Sequence, residues 1–179
     1  MSTAVHRAVV RDRVTEILRE GATLVEGRVY RARTWPVQER EQSLLLVYGW
    51  QEELKRLGGT SAQSRFQASF ILGVEARVRD RSRDEEEVEA ELEALTGQVR
   101  DLVLTSADLQ MGPGRLIERV EGVKTTLGID TKSSELALGR GLVAFELIWP
   151  ETFDVIQPDP ACCDGFGLAL RPVPAPSAP

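Results

Sequence analysis

The sequence predicts an α+β fold: a sheet of about four to five strands packed by an N-terminal helix and a long central helix, with a proline-rich C-terminal extension. Three stretches carry that prediction. From Phe66 to Val78 every second residue is apolar: Phe66, Ala68, Phe70, Leu72, Val74, Ala76 and Val78. Strict alternation marks a strand with one buried face, because successive side chains point to opposite sides of a sheet. Burying each large side chain of that face contributes about 1.5–3 kcal/mol, so a one-residue slip is costly. After Val78 the period changes: Val88, Leu92, Leu95, Val99, Leu102 and Val103 recur at helical spacing. Near the end, Val143, Phe145, Leu147 and Trp149 alternate again and predict a closing strand.

The remaining elements follow in chain order. Val10, Val14, Ile17 and Leu18 place one apolar face on a helix from Ala4 to Glu20, with Gly21 suited to a left-handed stop. Thr23–Val25 predicts a short strand, and Arg28–Ala32 an edge strand or an irregular loop. Trp35-Pro36-Val37 interrupts regular structure, because proline lacks a donor and restricts the residue before it. Leu44–Tyr48 is a continuous apolar run, expected to be a central strand that Gly49 ends. Trp50–Leu57 is expected to form a short helix closed by Gly58-Gly59.

Ser82-Arg83-Asp84-Glu85 matches a capping box, and Asp84, Glu85, Glu86 and Glu87 place negative charge at the positive end of the helix dipole. That helix, Arg83–Leu104, would be about 33 Å long, with Gly97 as a point of bending. Met111-Gly112-Pro113-Gly114 signals turns in a loop from Thr105 to Arg115. Glu118–Ile129 and Glu135–Trp149 predict a hairpin joined by Asp130–Ser134. Pro150 is expected to close the domain, which spans residues 1–153. Residues 154–179 are too rich in proline for a helix or central strand and read as an extended arm or disordered tail.

The bulk numbers bound the function classes. The chain has 179 residues, 42% hydrophobic and 28% charged, ordinary values for a globular domain. A net charge of −6 gives no basic footprint for nucleic acid. No apolar run approaches the roughly 20 residues that span a bilayer, and Arg7, Arg11, Asp12 and Arg13 interrupt any leader-like core. The chain therefore reads as cytosolic, or as part of an assembly built in the cytosol. Cys162 and Cys163 are adjacent, a spacing too strained for an ordinary disulfide, and read as free thiols.

Templates for chemistry are empty. Gly112-Pro113-Gly114 lacks the later glycine, lysine and hydroxyl of a phosphate loop. His6 is the only histidine and has no orienting partner in the sequence. The acidic run from Asp84 reads as a solvated first turn. The expectation is no catalytic residue, no cofactor and no metal. An enzyme using the carboxylates around Asp84 and Glu87 is the competing reading from another class.

The order of elements then matters more than any motif: an amphipathic helix, the short Gly27-Arg28-Val29-Tyr30 segment, a Pro36 loop, the Leu44–Tyr48 strand, the long alternating strand, a long helix, and a hairpin ending in Phe145–Trp149. Over Ala4–Phe153 this resembles the tail-terminator proteins of long-tailed bacteriophages, the lambda-type minor tail protein family. The proline-rich tail departs from that pattern. The resemblance implies a mixed or antiparallel sheet packed by helices and a structural virion protein, not an enzyme. It implies a homohexameric ring that caps the tail tube, ends its polymerisation and forms the tail-side surface for head–tail joining. The partners so implied are further copies of the chain, the tail-tube protein and a head-side neck or connector protein, with no membrane. DNA would pass through the lumen unbound, which an acidic chain favours. The expected location is the virion tail at the head–tail junction. Another neck adaptor and a cytosolic interaction domain are the alternatives. Candidate interface residues are Arg28, Arg31, Arg33, Glu39, Arg40 and Glu41, a long polar stretch that reads equally as a solvated loop.

Overall fold

A computed structural model describes residues 3–31, 43–80, 85–130 and 137–154. The chain runs through α1 (Thr3–Gly21), a 3-10 turn (Thr23–Val25), β1 (Val29–Tyr30), β2 (Ser43–Gly59), β3 (Gln63–Asp80), α2 (Glu85–Thr105), α3 (Ala107–Gln110), β4 (Arg119–Asp130) and β5 (Ala137–Asp154). The strands form one sheet in the order β1-β2-β3-β5-β4. Only β1 pairs in parallel; the other neighbours are antiparallel, so the α+β fold carries a mixed sheet.

The alternating stretch is the centre of that sheet. β3 pairs with β2 on one side and with β5 on the other along nearly its whole length. Ala68, Phe70, Leu72, Val74, Ala76 and Val78 all point to the helix layer and are buried. Val143, Phe145, Leu147 and Trp149 of β5 lie beside them. α1 adds Val10, Val14 and Leu18, and α2 adds Val88, Leu92, Leu95, Val99 and Val103. Both helices therefore sit on one face, as their apolar spacing requires.

Close approach of α2 depends on two glycines of β5. A Cβ on Gly139 would lie 2.6 Å from Val88 Cγ1, and one on Gly141 would lie 2.7 Å from Thr96 Cγ2. The second sheet face holds a smaller cluster, Leu44, Leu46 and Tyr48, packed by Tyr30 and Leu142. Leu44–Tyr48 is thus buried on both faces, as its unbroken apolar run predicts.

Four expectations are corrected. Trp50–Leu57 is not a helix: β2 continues through Gly49 to Gly59. A bulge between Gly49 and Gln51 shifts the register by one residue, and Gln51–Arg56 then pair with Ile71–Phe66. A ready template in β3 outweighs the helix propensity of Glu, Leu, Lys and Arg. Pro150 does not close the sheet, because β5 runs on to Asp154. The carbonyl of Ile148 accepts the Glu118 N–H, so Ile148 and, two residues on, Pro150 direct their backbone groups toward β4. β4 begins at Arg119 opposite Ile148, so among the described residues the missing N–H of Pro150 has no strand to serve.

Thr23–Val25 is a 3-10 turn and not a strand. Gly21 is the last residue of α1 and has no left-handed φ; the glycine with that conformation is Gly27, at φ 79°. What Gly21 provides is room, since a Cβ there would press on Leu102 of α2. Two smaller differences follow. The loop after α2 contains the one-turn helix α3, whose Leu109 is buried, and α2 runs unbroken through Gly97. The capping-box residues Ser82–Asp84, the hairpin connection after Asp130, Cys162, Cys163 and the proline-rich segment beyond Asp154 lie outside the described residues.

Two substitutions test this packing. Gly141→Val should lower stability by about 1–3 kcal/mol through overpacking against α2. Gly97→Ala meets open space at an ordinary helical φ and should raise stability by about 0.5–1 kcal/mol. Chemical denaturation of both variants measures the pair, and equal midpoints would contradict the packing described.

Candidate interaction surface

β2, β3 and β5 run past the helix layer as a three-stranded projection. β3 residues Gln63–Gln67 pair there with Pro150–Asp154 of β5, and Ser64–Ile71 pair with Gln51–Gly59 of β2. The tip is a tight turn, closed by the Thr60 N–H donating to the Gln63 carbonyl at 2.7 Å. Gly59 has φ 143°, and a Cβ on it would overlap the Gln63 carbonyl, so only glycine fits.

This end is incompletely satisfied among the described residues. Trp50, Leu54 and Leu57 are exposed, Trp50 and Leu57 by 52% and 58%. On the helix side, Trp149 packs edge-on against Phe70 with ring centres 5.9 Å apart, and Phe66 against Phe153 at 5.5 Å. Between those pairs in the sheet stands Glu151, opposite Phe66. It is only 8% exposed, and neither carboxylate oxygen has a hydrogen-bond partner among the described residues. Glu52 Oε1 and the Trp149 Nε1–H are likewise buried without a partner there. Unpaired buried polar atoms are costly, and four of them gather at one end of the sheet.

A cleft of about 380 Å³ opens between α1 and the β2 bulge, lined by Arg7, Arg11, Gly49, Trp50, Glu52 and Phe70. Arg7 reaches across it to Glu52 at 3.1 Å. His6 is half-buried beside this region. Its ring lies 4.8 Å from that of Trp149, and its Nε2 sits 2.8 Å from the Leu116 carbonyl, to which it donates as the protonated nitrogen. It is held as a packing residue.

The sequence-predicted interface residues lie elsewhere. Arg28 donates to the Ser43 carbonyl at 2.7 Å and pairs with Glu26 at 3.1 Å, tying β1 to β2. Arg31 pairs with Asp12 of α1 at 2.8 Å. Arg33, Glu39, Arg40 and Glu41 lie outside the described residues. Among the described His, Cys, Asp and Glu residues no group of three is placed to hold a metal ion, and no described helix is long and apolar enough to cross a membrane.

The face opposite the helices holds a charged cluster that sequence reading passed over. Glu75 is 1% exposed. It accepts from Arg77 Nε at 2.7 Å, from an Arg140 guanidinium nitrogen at 2.8 Å and from the Tyr48 hydroxyl at 3.2 Å. Burial alone would raise its pKa, but the hydrogen bonds and charges of Arg77 and Arg140 outweigh burial and hold the carboxyl below its ordinary range. The available signal was Glu75 and Arg77 at i, i+2 on a face otherwise flanked by Leu44, Leu46 and Leu142.

Comparison of the chain with protein-family models and with curated proteins finds no match.

Glu75→Gln should cost about 1–3 kcal/mol, since both guanidiniums lose their charged partner. Because the folded carboxyl titrates below the unfolded one, its contribution is complete above about pH 5 and is lost as pH falls through the lower folded value. Thermal melts across that acid range should fall more steeply for the native chain than for Glu75→Gln. Parallel curves would remove Glu75 as a source of the acid response.

Proposed function

We propose that this chain is a non-catalytic structural protein of tail-terminator type. Copies assemble as a homohexameric ring on the end of a bacteriophage tail tube, stop its polymerisation and form the tail-side surface for head–tail joining. The observation that carries the reading is the projecting end of β2, β3 and β5, which holds both the exposed Trp50, Leu54 and Leu57 and the buried carboxylate of Glu151, without a hydrogen-bond partner among the described residues. A surface of this kind favours a protein contact, because apolar exposure and unpaired polar groups are both relieved by a fitted partner. The order of elements supports the same reading, since α1, the short β1, the long β2–β3 hairpin, α2 and the closing β4–β5 pair keep the sequence of parts on which the resemblance rests. The net charge of −6 suits a ring through which DNA passes without being held. The ring would sit at the head–tail junction, between the tail-tube protein and a neck or connector protein.

Native mass spectrometry of the purified chain tests the ring. A species of six times 19.8 kDa is expected, and it should halt elongation when added to polymerising tail-tube protein. A chain that stays at 19.8 kDa at every concentration and leaves elongation unchanged would overturn the reading.

A further inference from the structure

The sheet ends in two different open edges. Among the described residues β4 borders it on one side with no strand beyond. On the other side β1 pairs with β2 at Leu45 and Leu46, and among the described residues no strand lies beside Glu52, Leu54 and Arg56 on that side. Which backbone groups point outward follows from the register. Ile148 faces β4, so Glu146, Ala144, Leu142 and Arg140 do as well, and they pair with Gly122, Lys124, Thr126 and Gly128. The intervening residues of β4, Val123, Thr125, Leu127 and Ile129, direct their N–H and C=O groups away from the sheet. On β2, the Leu45 N–H donates outward to the Arg28 carbonyl at 2.9 Å. Past the bulge the parity changes, and Glu52, Leu54 and Arg56 point outward.

The two edges are guarded differently: β2 points Glu52 and Arg56 outward on either side of Leu54 and is interrupted by bulges at Gly49/Gln51 and Arg56/Gly58, whereas β4 is barer past its bulge at Val120/Gly122. Outward positions 123–129 of β4 hold no charge and no proline, the usual devices that blunt an edge. The two edge segments carry Val123, Leu127, Trp50, Leu54 and Leu57, five of the nine large apolar side chains exposed among the described residues. Exposed apolar surface is thus gathered along the two edges of the described sheet.

We infer that β4 of one copy pairs antiparallel with the Gly49–Gly59 part of β2 in the next copy, so that the sheet continues from subunit to subunit. This rests on the ring reading above and names the surfaces that make it. Strands β2, β3, β5 and β4 alternate in direction, so a neighbouring β2 placed beside β4 by rotation about an axis along the strands continues the alternation. The outward residues of both edges carry their side chains on the helix face, since Val123 and Thr125 lie beside Phe145 and Val143, and Glu52 beside Phe70. Antiparallel pairing therefore keeps all helices on one side and sets Val123 and Leu127 against Leu54. The two surfaces differ, so the contact is heterologous and closes into a ring when the rotation allows. The free part of β2 lies above β1 while β4 spans lower rows of the sheet, so the copies stagger, as a closed tilted sheet requires.

Thr125→Pro removes an outward donor and leaves the β5 ladder intact. Leu127→Lys and Leu54→Lys place a charge at either edge. Far-ultraviolet dichroism and melting establish that each variant is folded. Size exclusion with light scattering then reads assembly of the full chain, with Val9→Lys as a control away from both edges. Each edge variant alone should be monomeric, its apparent dissociation constant raised about tenfold or more, the loss expected from about 1.4 kcal/mol at a contact. A mixture of Thr125→Pro and Leu54→Lys chains retains one intact edge of each kind and should form a dimer and nothing larger. Folded edge variants that assemble like the native chain, or a mixture that forms no dimer, would overturn the edge contact and leave the ring reading standing. A native chain that never leaves the monomer would overturn both.

Discussion

The two-sided pairing of β3 is the constraint on which the rest of the molecule depends. Its pairing with β5 runs unbroken from Gln63 to Asp80 and its pairing with β2 from Ser64 to Val78 across two bulges, and every other feature is placed relative to it. The alternating apolar row turns toward the helices, so α1 and α2 must share one face. Because the sheet is longer than the helices cover, its far end carries exposed apolar residues and a buried glutamate without a hydrogen-bond partner among the described residues. Because β3 is paired on both sides and β5 on both sides only as far as Ile148, the backbone without a strand partner among the described residues falls to β4, the outer part of β2 and the end of β5 beyond Ile148.

The two faces solve different problems. On the helix face, small residues set the spacing: Gly139 and Gly141 let α2 approach the sheet, and Gly21 accepts Leu102. On the other face, Glu75 sits among Leu44, Leu46 and Leu142 and is tolerated because two guanidiniums and a hydroxyl satisfy it. A buried carboxylate with three donors fixes the relative positions of β2, β3 and β5, since the donors come from all three strands.

Much of the fold was legible in the sequence because periodicity reports which face an element buries. The rows Val10–Val14–Leu18, Ala68–Val78 and Val143–Trp149 are buried as their spacing predicts. What stayed hidden depends on pairing between distant segments. Gln51–Arg56 has helix-favouring residues, and only the presence of β3 beside it makes it a strand. Pro150 looks like a terminator until the end of β4 is known. The charged stretch around Arg28 and Arg31 looks available for a partner, yet both side chains are engaged within the chain. The projecting end was unreadable for the same reason, because Trp50 and Leu54 become surface features only once β2 is known to continue past the helices.

The central claim is that the free backbone of two unlike edges is what joins one copy to the next. Residue-resolved amide hydrogen exchange on β4, compared between dilute monomer and concentrated assembly, measures it most directly. In the monomer, Lys124, Thr126 and Gly128 should exchange slowly, while Val123, Thr125, Leu127 and Ile129 exchange fast. In the assembly the fast set should become protected together with Glu52, Leu54 and Arg56 of β2. An assembly in which those amides remain as fast as in the monomer would contradict the claim.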